Sequence, residues 1–148
     1  MSDFDILKML FDEHHRQLSE KRQKIHGIAE RTMALLIVVA GWLVIIDKPL
    51  SGNLSWMIIV TIAIIALTAC WNIYVNNRAY FLIANVIRKI NIAFGLFEPN
   101  KFVTQEALYP SVWEDFGLRG KVTGFIFHCL TILAATMLCI VLTLMKAR

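Results

Sequence analysis

Apolar residues in this chain gather into three long runs instead of recurring evenly at the spacing of a soluble amphipathic fold. The runs cover residues 32–46, 54–75 and 122–145. A helix needs about 20 largely apolar residues, each adding about 1.5 Å, to cross a hydrocarbon core of about 30 Å. The second and third runs have this length, and the first reaches it if residues 28–31 lie in the headgroup layer. The pattern predicts an all-α integral membrane protein with three transmembrane helices.

A short polar segment, residues 47–53, joins the first two runs and contains Pro49 and Gly52. Proline and glycine favour turns, so we expect an external hairpin loop that holds the first two spans side by side. Trp56 and Trp71, roughly 22 Å apart along a helix, suit aromatic anchors at the two interfaces of the second span.

Helical apolar spacing continues beyond the spans, in residues 1–31 and 76–97. Both segments also carry charges, which are costly in a bilayer, so we predict two cytoplasmic amphipathic helices that extend the first two spans. Their apolar faces would pair as an antiparallel stalk; in the alternative geometry, helix 80–97 lies flat on the inner leaflet. Two polar residues on this seam, His14 and Lys21, would either fix the register or face water. The predicted helix-pairing seam comprises Leu7, Phe11, Leu18, Ile25, Tyr80, Ile83, Ile87, Ile90 and Phe94.

Residues 98–121, between the second amphipathic helix and the third span, are rich in aromatic residues and turn formers. Within this loop, Ser111 and Glu114 stand in the positions of a capping box, which predicts a short interfacial helix. We expect the aromatic side chains to pack at the base of the helical bundle rather than to bind a ligand.

Basic residues are concentrated in residues 1–31 and 76–121, on one side of the predicted membrane. The positive-inside rule therefore places the N-terminus in the cytoplasm and the C-terminus outside. No base-stacking or groove-reading motif accompanies the net charge of +4, so we expect membrane lipid rather than nucleic acid as the partner. The candidates for lipid-headgroup contacts are four basic residues near the first span, for which a solvated face balanced by nearby carboxylates is an equal alternative: Lys21, Arg22, Lys24 and Arg31.

The sequence contains none of the short motifs of nucleotide-binding, hydrolytic or metal-dependent enzymes, so we expect neither an enzyme nor a cofactor. Residues 12–15 bring two carboxylates and two imidazoles together, but adjacent helical side chains point about 100° apart and would not share one metal ion. Three cysteines, Cys70, Cys129 and Cys139, lie inside predicted spans and favour a packing role.

The third span carries a row of small and polar residues on an otherwise large apolar helix. Such a row faces protein or water rather than lipid, and His128 is the one ionisable residue in the core of that span. The row could line an ion path or, as the more common alternative, pack against neighbouring helices. A haem site is disfavoured because it needs a second axial ligand, and His26 is assigned to a helix outside the membrane. The candidate polar membrane face comprises Gly124, His128, Thr131, Ala135, Cys139 and Thr143.

A basic amphipathic helix, a close pair of spans and a further helix at residues 77–90 (Asn-Arg-Ala-Tyr-Phe-Leu-Ile-Ala-Asn-Val-Ile-Arg-Lys-Ile) follow one another in residues 5–97. This layout resembles that of the SLATT proteins, small two-span effectors associated with bacterial nucleotide-sensing defence systems; the present chain adds a third span. The resemblance implies a bacterial inner-membrane oligomer that permeabilises or disturbs the membrane when signalled, without catalytic residues.

Two functional hypotheses follow for a non-enzymatic, multi-pass protein of this kind. The first is an oligomeric membrane effector or pore former, with the polar row of the third span at the lumen. The second is a non-conducting accessory or scaffold subunit, in which the same faces dock onto a larger membrane partner.

Overall fold

Three long helices account for most of the fold: α1 (Asp3–Ile45), α2 (Gly52–Phe94) and α3 (Val112–Lys146). All three are long and apolar enough to cross a membrane, and the described part of the chain contains no β-strand. The prediction of an all-α protein with three candidate spans is thereby confirmed. The computed structural model describes residues 3–101, 106–110 and 112–147, with the side chains of residues 3, 4, 7 and 112–123 left out.

The helices α1 and α2 each contain 43 residues. At about 1.5 Å per residue this is roughly 64 Å, or about twice the thickness of a hydrocarbon core. Each amphipathic segment is thus continuous with its neighbouring span, and α2 ends at Phe94 rather than at residue 97. The short helix expected near Glu114 is likewise the start of α3, which begins at Val112; Ser111, its expected cap, lies outside the described residues.

Local chemistry explains where α2 begins and ends. Ser51 precedes its first turn, and the Ser51 hydroxyl accepts a hydrogen bond from the amide of Leu54, which is an N-cap interaction. At the other end, Gly95 has a φ of 69°, and the amide of Leu96 donates to the carbonyl of Asn91. This is a Schellman ending, which requires a left-handed residue that glycine adopts without strain.

The chain divides into two compact units. Unit 1 consists of Met1–Lys24 and Asn76–Gly124, and unit 2 consists of Ile25–Val75 and Phe125–Arg148.

Unit 2 contains a core shared by all three helices. On α2 half of the core residues are small, namely Ala66 and Ala69, which allow neighbouring helices to approach closely. The hairpin loop closes one end of this unit: the amide of Leu50 donates to the carbonyl of Lys146 at 2.8 Å, and the Lys146 ammonium donates to the carbonyl of Ile46 at 2.7 Å. The end of α3 is therefore tied to the α1–α2 hairpin. The buried core cluster comprises Ala29, Leu36, Ile62, Ala66, Ala69, Ile73, Ile132 and Cys139.

Unit 1 pairs the first half of α1 with the second half of α2. The rings of Phe11 and Phe94 meet edge to face, with centroids 6.5 Å apart, so the beginning of α1 lies beside the end of α2. The loop after α2 folds back, because the amide of Tyr109 donates to the carbonyl of Leu96 at 2.9 Å. Among the seam residues of this unit, Ile87 and Ile90 are buried, and Phe11, Leu18, Tyr80, Ile83 and Phe94 are half-buried.

Two seam residues are placed differently. Ile25 is half-buried and packs against the core of unit 2, and the side chain of Leu7 lies outside the described residues.

Candidate functional site

The polar row predicted on α3 is turned largely toward the interior of unit 2. Thr143 and Cys139 are buried, with 0% and 1% of their surfaces exposed, and His128, Thr131 and Ala135 are half-buried. The thiol of Cys139 lies 3.4 Å from the carbonyl oxygen of Leu36, in hydrogen-bonding range of α1. Gly124, assigned to unit 1, is exposed and would meet nothing within 4 Å if it carried a Cβ atom.

The buried hydroxyl groups of α3 are satisfied by their own helix. Thr143 donates to the carbonyl of Cys139 at 2.8 Å, and Thr136 donates to the carbonyl of Ile132 at 2.7 Å. Thr136 is buried but was absent from the predicted row, because the true inward face is centred on Ile132. Since these hydroxyl groups are bonded and covered within one copy, they line no open path there.

His128 contacts a second imidazole that the sequence did not place near it. The ring of His26 on α1 meets the ring of His128 edge to face, with centroids 5.0 Å apart and planes at 88°. The expectation that these residues lie at different depths is therefore wrong. α1 and α3 run in parallel in unit 2, with Leu36 beside Cys139, and this register brings His26 level with His128. The contact leaves no room for a porphyrin between the rings, as axial ligation on opposite faces of haem would require.

The neighbouring residue of α3, Cys129, contacts α2 instead. Its thiol lies close to that of Cys70, and one turn away the rings of Tyr74 and Phe125 lie with centroids 6.2 Å apart. Residues 70 and 129, like 74 and 125, are opposite each other on antiparallel helices. One turn of α3 thus makes two polar contacts, through His128 with α1 and through Cys129 with α2.

A second polar face lies on α2 and was missed from the sequence. Thr61, Thr68 and Asn72 are all exposed, in a stretch whose other exposed residues are mostly large and apolar. The Asn72 amide donates to the carbonyl of Thr68 at 2.9 Å, which keeps the side chain along the helix. Their spacing of seven and four residues was a usable signal, since it places all three on one helical face.

An open groove of about 460 Å³ runs between α1 and α2 at this face of unit 2. Thr61 is the one lining residue that carries a hydroxyl group. The other lining residues are apolar: Leu35, Val39, Trp42, Leu54, Met57, Ile58, Ile62 and Ile65.

Unit 1 exposes large apolar side chains on both of its long helices. On α1 these are Ile6, Met9 and Leu10, with Met9 56% exposed, and on α2 they include Leu82, which is 62% exposed. A further apolar groove of about 340 Å³ lies beside Phe11, and its lining residues are Lys8, Phe11, Asp12, Phe94, Leu96, Leu108 and Tyr109.

Some polar groups in unit 1 form ion pairs, whereas others are buried without a hydrogen-bond partner among the described residues. On the outer face of α1, Arg16 pairs with Glu13 at 2.8 Å and with Glu20 at 3.3 Å. The guanidinium of Arg16 lowers the pKa of Glu13, mainly through the hydrogen bond between them. On the inner side, the Nδ1 atom of His14 and the Oδ1 atom of Asn91 are buried without a hydrogen-bond partner among the described residues.

Among residues 12–15, the Glu13 carboxylate bonds with Arg16, and the Nδ1 atom of the His15 ring lies 3.3 Å from the carbonyl oxygen of Phe11. No group of three or more potential metal ligands occurs among the described residues.

The residues predicted to contact lipid headgroups lie mostly at the surface: Arg22, Lys24 and Arg31 are exposed, and Lys21 is half-buried.

No protein-family model matches this chain, and neither a curated protein nor a solved structure matches it.

Proposed function

We propose that this chain is a multi-pass membrane effector that acts as an oligomer, disturbing or permeabilising the bacterial inner membrane as part of a defence system. The N-terminus lies in the cytoplasm and the C-terminus outside, as the distribution of basic residues predicts. The defence role rests on the resemblance in layout to SLATT proteins.

The exposed polar face of α2 is the observation that carries the proposal. The exposed hydroxyl groups of Thr61 and Thr68 would otherwise meet lipid chains, which offer no hydrogen-bond partners. Hydroxyl and amide groups in a span favour the helix of another copy or a water-filled path. In this proposal the α2 face lies between copies, while the polar row of α3 packs α3 against its own copy.

The exposed apolar residues of unit 1 support a second candidate function. Ile6, Met9 and Leu10 form an uncovered apolar surface, and such surfaces mark protein or membrane contacts. A non-conducting accessory or scaffold subunit would use this surface to hold a larger membrane partner.

The test begins with the mass of the full-length chain purified in mild detergent and continues with dye release from phosphatidylethanolamine–phosphatidylglycerol vesicles. We expect a multi-copy particle and dye release, both reduced by the Thr68→Val/Asn72→Leu double variant. Leu67→Val on the same helix is the matched control, since Leu67 is 68% exposed and apolar, and it should behave like wild type.

Two outcomes would overturn the effector proposal: a monomer in tight vesicles, or a double variant that assembles and releases dye like wild type. A monomer that co-purifies in fixed ratio with another membrane protein would establish the scaffold function instead.

A further inference from the structure

Two of the three free cysteines of the chain lie beside each other across α2 and α3. The thiol of Cys129 is close to that of Cys70. Both side chains are half-buried and pack against the shared core of unit 2. A pair of thiols from two different helices therefore meets within one compact unit.

The register of α2 and α3 supports this pairing independently. The amide of Leu50, just before α2, bonds with the carbonyl of Lys146 at the end of α3, so the two helices run antiparallel in unit 2. The rings of Tyr74 and Phe125 lie with centroids 6.2 Å apart. One turn back from Tyr74 and one turn forward from Phe125 are the two cysteines, on the same helical faces as the rings. The ring contact thus sets the thiols opposite each other.

We propose that Cys70 and Cys129 form a redox modification site, which a small soluble disulfide such as oxidised glutathione converts to an intramolecular disulfide bond. A disulfide requires Cα atoms within about 7 Å of each other. The buried Ala66 and Ala69 precede Cys70 on α2, and small residues at a helix interface allow the backbones to approach closely. The packing of unit 2 therefore suits a bond between these two helices.

The reaction is a pair of thiol–disulfide exchanges. The thiolate of one cysteine attacks a sulfur atom of oxidised glutathione, which gives a mixed disulfide and releases one glutathione thiolate. The thiolate of the other cysteine attacks the protein sulfur of that mixed disulfide and releases the second glutathione. The protein loses two electrons and two protons, and one molecule of oxidised glutathione becomes two molecules of the reduced thiol.

The position of the pair along the helices gives such a reagent access. Trp71, adjacent to Cys70, is 66% exposed, and the polar Asn72 is also exposed, as expected near the end of a span. Cys129 lies within the first two turns of the candidate span Gly124–Lys146. The site is therefore near one end of the two spans rather than at their middle.

Cys139 is excluded from this chemistry by its surroundings. Its side chain is 1% exposed, and its thiol lies 3.4 Å from the carbonyl oxygen of Leu36 on α1. It is also more than two helical turns beyond Cys129 on α3. The chain thus contains its own control cysteine.

The bond would fasten α3 to α2 at the opposite end of unit 2 from the contact between Leu50 and Lys146. In the orientation proposed above, this end is on the cytoplasmic side, where thiols are kept reduced. The pair would then be a dithiol under ordinary conditions and a disulfide when the glutathione pool becomes oxidised.

The experiment incubates the full-length chain in mild detergent with oxidised glutathione until no further change occurs. Intact mass then distinguishes an internal disulfide, which removes two hydrogen atoms, from a glutathione adduct. Free thiols are counted by alkylation with a polyethylene-glycol maleimide in SDS without reductant. Wild type should fall from three alkylated cysteines to one, and dithiothreitol should restore all three.

Three single variants form a matched set, since each retains two thiols. Cys139→Ser should lose both free thiols to an internal disulfide. Cys70→Ser and Cys129→Ser should form no internal disulfide, and circular dichroism checks that all three variants are folded like wild type.

The proposal fails if wild type keeps three free thiols, if it ends as a glutathione adduct or a disulfide-linked dimer, or if folded Cys70→Ser or Cys129→Ser still forms an internal disulfide. These measurements count bonds within one chain and require neither oligomerisation nor dye release. Failure of the redox site and failure of the effector function are therefore distinguishable.

Discussion

Unit 2 and unit 1 differ in the hydrogen bonding of their buried polar groups and in the surroundings of their exposed apolar residues. In unit 2 the buried hydroxyl groups of Thr32, Thr136 and Thr143 all donate to carbonyl groups of their own helix, and large apolar residues outside the core suit a lipid environment. In unit 1, by contrast, buried polar atoms of His14 and Asn91 have no hydrogen-bond partner among the described residues, while Met9 and Leu82 are exposed.

This difference determines how the stability of each unit should respond to substitution. A buried polar group without a hydrogen bond destabilises a fold by about 1–3 kcal/mol, and exposed apolar clusters mark contact surfaces. Unit 2 bonds its buried hydroxyl groups within its own helices, whereas unit 1 combines exposed apolar residues with buried polar atoms of His14 and Asn91 that have no hydrogen-bond partner among the described residues. The comparison predicts that substitutions in the two units will differ in size and even in sign.

The largest effect should come from the core of unit 2. Ile132 is fully buried there, so Ile132→Ala should lower the free energy of unfolding by about 2–5 kcal/mol through lost packing and the cavity left behind. Leu133→Ala removes a similar side chain that is 47% exposed, and it should cost under about 1 kcal/mol. Denaturant unfolding in detergent measures both values. Equal losses at the two positions would mean that unit 2 is not packed as described.

The sequence predicted the positions of the helices better than the contacts between them. Long apolar runs indicate helices that suit a membrane, so three candidate spans and the helical extensions of the first two could be predicted from spacing alone. The pairing of His26 with His128 depends on the register of α1 against α3, which two positions separated by a hundred residues do not encode locally. The inward face of α3 was predicted only in part: Cys139 and Thr143 of the predicted row are buried, but Ile132 and Thr136, which packing also places in the interior, were not in that row.

An effect of opposite sign is expected in unit 1. Asn91→Leu replaces a side chain whose Oδ1 atom is buried without a hydrogen bond among the described residues. The substitution should raise the free energy of unfolding of the single copy by about 1 kcal/mol, because the lost desolvation penalty exceeds any lost interaction. Asn85→Leu is the control, since Asn85 is exposed on the same helix and should change stability little. A clear loss of stability in Asn91→Leu would show that unit 1 already satisfies this amide.

The smallest effect belongs to the ion pairs on the outer face of unit 1. Arg16 holds the pKa of Glu13 below its ordinary value, so the folded state binds a proton at this carboxylate less readily than the unfolded chain does. The resulting stabilisation is present above the ordinary glutamate pKa of about 4.3 and disappears as the pH falls through the lower pKa of the folded state. It should be slight, because both side chains are largely in solvent. A carboxyl-carbon NMR titration of wild type and Arg16→Gln measures it: the titration midpoint of Glu13 should move up toward the ordinary value in the variant. A Glu13 midpoint that stays low without Arg16 would assign the shift to Gln17, which also donates a hydrogen bond to this carboxylate at 2.7 Å.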